Sequence, residues 1–452
     1  MKIALLSNVT VEVLAGMLRA EHRVWTAPGF GAWMETALEP PDELVSFVPD
    51  EICILLDSRF AAVRGDVAAA QKALAARFPS AATVVLDVTR FAADLGAAFY
   101  DERMWKLASM PWSLLGLREL VKVFSLKKVL AVDLDNTLWD GVLGEDGAQG
   151  IRPNADFIRA LKVLKDRGVL LAVLSKNDES VVGSEAPSAL RNLGGWTGFA
   201  ALKVNWKPKA ENLSELAAEF NLGTDAFVFV DDDPVERAEM RARHPEALVA
   251  DFPPQLEAFF PQRTLTAEDA AKTEQYRQAS ARRAFGAGLT LEDYLAALEI
   301  KTEIRPIRDD EADRVAQLSQ KANQFSVCTN RYGADEIRRL AADPACLVLT
   351  ARTGDRFGDL GLVAFAVARL SGDAAEIVDF TMSCRAMNRR LEFALEEALE
   401  KELAARGVRR LTAEVRPTPK NGPVRDLFPR LGFSSAGMPL RFTKVLSETG
   451  LK

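Results

Sequence analysis

Histidine is nearly missing from this chain: 452 residues carry two, His22 and His244, and neither stands near a convincing partner. His-ligated zinc, His–Asp dyads and serine-type triads therefore lack raw material, and acid–base chemistry falls to carboxylates. Cysteine is scarce too. The four, Cys53, Cys328, Cys346 and Cys384, are scattered without any Cys-x-x-Cys. Neither a zinc framework nor a disulfide framework is suggested, and the expectation is a cytoplasmic protein with reduced thiols. No apolar run approaches the roughly 18 residues of a membrane span. Met1-Lys2-Ile3-Ala4-Leu5-Leu6-Ser7 is too short for a signal peptide's apolar region and reads as a first strand. A basic excess is absent as well: net charge is −7 and pI about 5.3, which argues against a nucleic-acid partner. An acidic carrier domain stays possible as a partner, because a local basic patch can exist on an acidic protein.

What is present is an ordinary globular composition, 48% hydrophobic with a mean hydropathy of −0.02, long enough for two to four domains. Its most informative stretch is Val129-Leu130-Ala131-Val132-Asp133-Leu134-Asp135-Asn136-Thr137. The short apolar run reads as a buried parallel strand that delivers two carboxylates to its C-terminal end. One can attack phosphorus while the other handles the leaving-group proton. An EF-hand reading fails: counting from Asp133, Leu138 stands at the turn-glycine position and Gly144 at the last-ligand position.

Further parts follow in a workable order. Val169–Leu174 is a second apolar strand ending in Ser175-Lys176-Asn177-Asp178, where a hydroxyl and backbone N–H groups could hold a phosphoryl oxygen. Asn205-Trp206-Lys207-Pro208-Lys209 offers a lysine to neutralise an aspartyl-phosphate. Phe227–Val230 is a third strand, capped by Asp231-Asp232-Asp233-Pro234. Three successive acids repel one another unless a cation sits among them, so Mg²⁺ is implied. Taken singly, Ser175 could be a helix cap, Lys207 and Lys209 solvated charges, and the three acids a turn. In this order, each after its own strand, they point to phosphoryl transfer.

Around this core the chain divides into three expected parts. Residues 1–120 read as a small α/β domain with strands at Lys2–Ser7, Ile52–Leu56 and Thr83–Asp87 and an Ala-rich helix over Val67–Arg77. No catalytic constellation emerges there, and a docking or scaffolding role is the default. Residues 121–285 alternate strand and helix, giving a doubly wound, Rossmann-like parallel sheet. Leu138–Gly147 reads as a β-hairpin flap, too short for a cap domain, and Thr266–Phe285 as a connecting helix. Residues 286–452 switch to an α+β pattern: strands near Ile300–Ile304, Leu360–Leu370 and Glu376–Ser383, a helix over Arg389–Arg406, and a strand at Arg410–Val415.

The acid-bearing stretch resembles the first motif of the haloacid-dehalogenase (HAD) phosphohydrolases. Continued through Leu138-Trp139-Asp140-Gly141-Val142-Leu143-Gly144-Glu145-Asp146-Gly147, it is similar to the signature of the FkbH-like family, HAD subclass IIIC. So are Ser175-Lys176-Asn177, Trp206-Lys207-Pro208-Lys209 with Asn212, and Val230-Asp231-Asp232-Asp233-Pro234 with Glu236-Arg237. The likeness runs on through Asn323-Gln324-Phe325, Arg331-Tyr332, Phe357-Gly358-Asp359, Ser383-Cys384-Arg385 and Lys420-Asn421. Asn421, Phe428 and Leu431-Gly432-Phe433 echo the close of a GCN5-type (GNAT) acetyltransferase domain.

The resemblance implies an enzyme that takes a glyceryl group from 1,3-bisphosphoglycerate, loses phosphate, and loads the acyl group as a thioester onto an acyl carrier protein. It implies Asp133 as nucleophile and Asp135 as acid, with Mg²⁺ held by Asp133, the Asp135 carbonyl and Asp232. Ser175 belongs to the phosphate-handling set, and motif matching favours Lys209 over Lys207 as the phosphate lysine. Thr137, Asn177, Lys207, Asn212 and Arg385 fall at substrate-binding positions. Two departures stand out. Relatives place a cysteine directly before Ser-Lys-Asn, and here Leu174 stands there. Cys384 is the remaining candidate for a thiol carrying the acyl group, with Arg385 beside it to favour the thiolate; the competing reading is a buried packing residue. Second, an Arg-x-x-Gly-x-Gly loop appears as Arg385-Ala386-Met387-Asn388-Arg389-Arg390, whose side chains crowd a turn that should approach phosphate. This argues against acetyl-CoA, while Arg385, Arg389 and Arg390 could grip a phosphopantetheine phosphate. Two other readings stay open: a plain Mg²⁺ phosphatase on a small phosphorylated metabolite, and a biosynthetic scaffold with a vestigial HAD domain.

Overall fold

The apolar runs of the sequence become the central strands of parallel sheets. A computed structural model describes residues 1–63, 65–180, 187–261, 267–286, 288–322, 324–437 and 440–446. Thr266, where the connecting helix was expected to begin, and Asn323 lie outside the described residues. The chain divides into two units, Met1–Arg277 and Gln278–Lys452.

In the first unit, β1 (Lys2–Ser7), β2 (Arg23–Thr26), β3 (Glu51–Leu56) and β4 (Ala82–Asp87) form a parallel sheet of order β2-β1-β3-β4. Next come β5 (Val129–Val132) and a two-stranded ribbon of β6 (Trp139–Asp140) with β7 (Arg152–Pro153). They are followed by β8 (Leu170–Ser175), β9 (Ala201–Val204), β10 (Phe227–Val230) and β11 (Leu248–Ala250). Five of these make a second parallel sheet of order β11-β10-β5-β8-β9. Every residue of β5, β8 and β10 is buried, as befits strands covered by helices on both faces. One apolar core, including Leu5, Leu86, Phe91, Leu130, Val132 and Phe259, runs through both sheets.

Helices are set by their stripes and caps. Over Ala155–Asp166, Phe157, Ile158, Leu161 and Leu164 are buried on one face, and Asn154 caps the start by accepting the Phe157 N–H. Burying one such leucine contributes about 2 kcal/mol, so Leu161→Asp would detach this helix. The flap differs from the expected hairpin. Its strands β6 and β7 bracket a helical segment, Leu143–Gly150, and Asp146 accepts the Val142 N–H to tie the entry. Gly141 takes φ +105°, and a Cβ there would meet that Asp146 carboxylate at 2.8 Å.

The second unit is α+β. Its strands are β12 (Lys301–Pro306), β13 (Phe325–Ser326), β14 (Cys346–Asp355), β15 (Gly358–Ser371), β16 (Ala374–Met382), β17 (Arg410–Glu414), β18 (Ser434–Gly437) and β19 (Arg441–Val445). They run β12-β14-β15-β16-β17-β19-β18, with β13 against β16. Pairing is antiparallel except for β16 with β17, which the helix Leu391–Ala405 joins as a crossover. The whole is thus a doubly wound α/β core with a second α/β sheet before it and an α+β unit after it. Among the described residues no helix is long and apolar enough to cross a membrane.

Candidate active site

Strands β10, β5 and β8 are neighbours, so their C-terminal ends bring Asp231–Asp233, Asp133–Asp135 and Ser175–Asn177 to one edge, where parallel sheets place ligands. Asp133, directly after β5, is buried, and its N–H continues the ladder to the Val230 carbonyl. Asp231 follows β10 and is fully buried. Between them stands Lys209, 5% exposed, the first residue of the helix Lys209–Phe220. A cation at a helix N-terminus opposes the helix dipole, and a buried one needs partners. It has two: its ammonium donates to Asp231 Oδ2 at 2.6 Å and lies 3.0 Å from Asp133 Oδ1. Burial opposes charge on Lys209, but these two carboxylates raise its pKa overall.

The acids remain under-neutralised. Burial pushes Asp133 up, although Lys209 and the Ser175 hydroxyl favour its ionised form. Burial, then repulsion from Asp133, pushes Asp231 up to about 7. Asp232 completes the cluster: Asp133, Asp231 and Asp232 each present an oxygen, all within 4.8 Å of one another. Among the described residues this is the one group of His, Cys, Asp or Glu side chains close enough to share a metal ion. Asp133 Oδ1 is buried with no well-aligned hydrogen bond, its charged neighbour being the Lys209 ammonium at 3.0 Å, and a metal cation would complete its neutralisation. Hard carboxylate oxygens with this excess charge fit Mg²⁺.

Asp135 is held differently. Its Oδ1 accepts from Trp139 Nε1 and the Leu143 N–H, both at 2.9 Å, and its Oδ2 from Asn177 Nδ2 at 2.8 Å. The flap tryptophan and the β8 loop therefore aim this carboxylate, while its side chain stays out of the acid cluster. Thr137 donates to Asp232 Oδ1 and accepts from the Asp232 N–H, each at 3.2 Å, which locks the two acidic turns together. Asp233 accepts the Val235 N–H at 2.8 Å as N-cap of the helix Pro234–Arg243, so that carboxylate serves the helix.

Other expected residues fall elsewhere. Lys207 is exposed and pairs with Glu215 at 2.7 Å and Glu211 at 3.9 Å along the following helix. Asn212 is fully buried in a reciprocal amide pair with Asn205, which braces the loop ahead of Lys209. Cys384 and Arg385 belong to the second unit. Cys384 is exposed, which removes the reading of it as a buried packing residue; Cys53, Cys328 and Cys346 are buried. At Arg385 the N–H donates to Ser383 Oγ and the carbonyl accepts from Arg389. Asn388 and Arg390 adopt φ +62° and +56°, so the loop keeps left-handed turns without the glycines that would ease them.

Three participants were not singled out from sequence. In sequence, Asp231 is one acid of a run and Asn205 part of a loop. Asp94 joins from the first sheet's side, bonded to Arg237 and Arg241. Burial raises the Asp94 carboxyl, but these guanidiniums outweigh it and bring it down to about 2.

No family model and no curated protein matches this chain. Among solved structures it is similar to the N-terminal part of protein BF1531 from Bacteroides fragilis, which contains a phosphatase domain and was crystallised with Mg. Identity is 21% over 59% of this chain and 94% of that one, with a TM-score of 0.33. It is also similar to the ribosomal-protein-S18-alanine N-acetyltransferase from Escherichia coli, 19% identical over 34% of this chain and 98% of that one, TM-score 0.27. The GNAT domain of the PAT protein of S. lividans is 20% identical over 32% of this chain and 90% of that one, with the same TM-score of 0.27.

Proposed function

We propose that the chain is a Mg²⁺-dependent, HAD-type phosphoryl-transfer enzyme of the FkbH-like kind. In this reading it dephosphorylates a phosphorylated three-carbon acid, 1,3-bisphosphoglycerate, and loads the glyceryl group as a thioester onto an acyl carrier protein. The observation that carries the phosphoryl-transfer half is the convergence of Asp133, Asp231 and Asp232, with buried Lys209 paired to the first two. The acyl-transfer half is supported by the motif resemblance and by Cys384, the one exposed thiol among the four cysteines.

A cation bound among the three carboxylates would supply charge neutralisation to the phosphoryl oxygens. The chain's own groups do the rest. A carboxylate oxygen of Asp133 attacks the ester phosphorus, and the P–O bond to the three-carbon acid breaks. Asp135, aimed by Trp139, Leu143 and Asn177, gives the departing alkoxide its proton and takes one back from the water that hydrolyses the aspartyl-phosphate. Lys209 balances the charge of that intermediate, and the Ser175 hydroxyl, which hydrogen-bonds Asp133, holds a phosphoryl oxygen in this reading. At the acyl-phosphate end, a thiolate attacks the acyl carbon, the thioester forms, and inorganic phosphate leaves without needing a proton.

Full-length protein, 1,3-bisphosphoglycerate, Mg²⁺ and a panel of holo carrier proteins, read by intact mass, test this reading. A glyceryl gain on a carrier is expected. Free phosphate with no adduct would instead mark a plain phosphatase, a reading favoured by Leu174 standing where relatives have a thiol.

A further inference from the structure

The backbone of the acid turn after β10 is held by one arginine. Arg237 Nη1 donates to the backbone carbonyls of both Asp231 and Asp232, at 2.7 and 2.8 Å. Its Nε and Nη2 donate to the two oxygens of Asp94, at 2.6 and 2.7 Å. Asp94 follows the helix Val88–Phe91 at the exit of β4, more than a hundred residues away in sequence. Arg241 closes the network, reaching Asp94 at 2.8 Å, Asp251 at 3.2 Å and the Val249 carbonyl at 3.1 Å.

This arrangement answers a problem set by the site. Three carboxylates crowded within 4.8 Å repel one another, and a turn left to itself would relieve that by swinging its side chains out and its carbonyls in. The guanidinium fixes both carbonyls, and with them the backbone from which the Asp231 and Asp232 side chains extend. A planar fork fixed at one end by a carboxylate holds that backbone; one ammonium could not hold two carbonyls and two carboxylate oxygens at once.

We propose that Arg237 and Asp94 are positioning residues for the metal-binding acids, so that the N-terminal region is a working part of the phosphate site. This rests on the phosphoryl-transfer reading above. Outer partners that orient metal ligands typically govern affinity by about 10–100-fold.

The test is Mg²⁺ binding by calorimetry, with phosphate release followed in parallel, on the full chain and on Asp94→Asn and Arg237→Lys. Glu119→Gln is the control. It breaks a partly buried ion pair with Lys122 that shares no residue with this network. Asp94→Asn and Arg237→Lys should fold by circular dichroism and bind Mg²⁺ at least about tenfold more weakly. Turnover of Asp94→Asn at saturating Mg²⁺ should recover to within a few-fold of wild type. Glu119→Gln should melt earlier with Mg²⁺ affinity unchanged. Folded variants with wild-type Mg²⁺ affinity would overturn the proposal, and so would failure of both to fold, which would assign the pair to fold maintenance. A wild type that binds Mg²⁺ but releases no phosphate would sink the functional reading alone, leaving the calorimetry to decide the positioning role.

Discussion

Replacing Lys209 with methionine removes the ammonium that pairs with two buried carboxylates while keeping the length of the side chain. Asp133 and Asp231 would then face each other with reactive oxygens no more than 4.8 Å apart. At an effective dielectric constant of about 20, that repulsion is at least about 3.5 kcal/mol. Breaking a buried pair by deleting one partner typically costs about 3–5 kcal/mol, in the same range. Lys209→Met should therefore lose about 3 kcal/mol of stability without metal at pH 8. The loss should shrink at pH 5, because Asp231, already pushed up to about 7, takes a proton and relieves the repulsion. Saturating Mg²⁺ should restore part of it, while phosphate release stays down by at least about 10²-fold for want of a charge opposite the phosphoryl group. Urea unfolding of the first unit, followed with and without Mg²⁺ at both pH values, gives the stabilities, and a phosphate-release assay gives the rate. Lys207→Ala, on the exposed face, should change neither. Were Lys209→Met to lose under about 1 kcal/mol and keep its rate while Lys207→Ala became inactive, the charge assignment would be wrong.

Metal titrations should separate the neighbouring acids: Asp232→Ala is expected to weaken Mg²⁺ binding by at least about tenfold. Asp233→Ala should cost about 1 kcal/mol of helix capping with Mg²⁺ affinity kept, and the reverse order would refute the ligand assignment. Cys384→Ala should still release phosphate from 1,3-bisphosphoglycerate but load no glyceryl onto a carrier; loading at the normal rate would mean transfer directly to the carrier's own thiol. In the second unit, burial, then a hydrogen bond with Glu400, pushes Glu396 up to about 8 against the opposing pull of Lys444. The folded carboxyl thus holds its proton to higher pH than the unfolded one, so the contribution of Glu396 to stability is fully present below about pH 4 and is lost as pH rises to about 8. Glu396→Gln should flatten that decline in melting experiments, and an unchanged slope would place the titration elsewhere.

Much of the fold was legible because its signals are local. Fully buried parallel strands read as short apolar runs, so β5, β8 and β10 stand out, each followed at once by its polar residues. The preference for Lys209 over Lys207 came from motif position, and burial gives it a physical reason: Pro208 turns the chain so that Lys209 opens a helix facing the acids. Other parts depend on distant partners. Nothing near Asp94 in sequence points to Arg237, and Asn205 with Asn212 reads as loop polarity until the helix folds back. β14, half apolar and half polar, was not distinguished from its surroundings. In the flap, alternating apolar residues and glycines read as a hairpin, but the Asp146 carboxylate on the Val142 N–H starts a helical turn there instead. The exposure of Cys384 was equally hidden, since a cysteine at a strand end packs inward or outward according to what covers it.

The claim that phosphoryl transfer passes through Asp133 is tested most directly by rapid-quench intact mass on wild type and Asp133→Asn, with Mg²⁺ and a phosphorylated three-carbon substrate. The wild type should gain one phosphoryl group, mapped to Asp133. The amide variant, folded alike, should gain none and turn over at no more than about a hundredth of the wild-type rate. A phosphoryl gain on another residue, or an Asp133→Asn protein that keeps its turnover, would contradict the account.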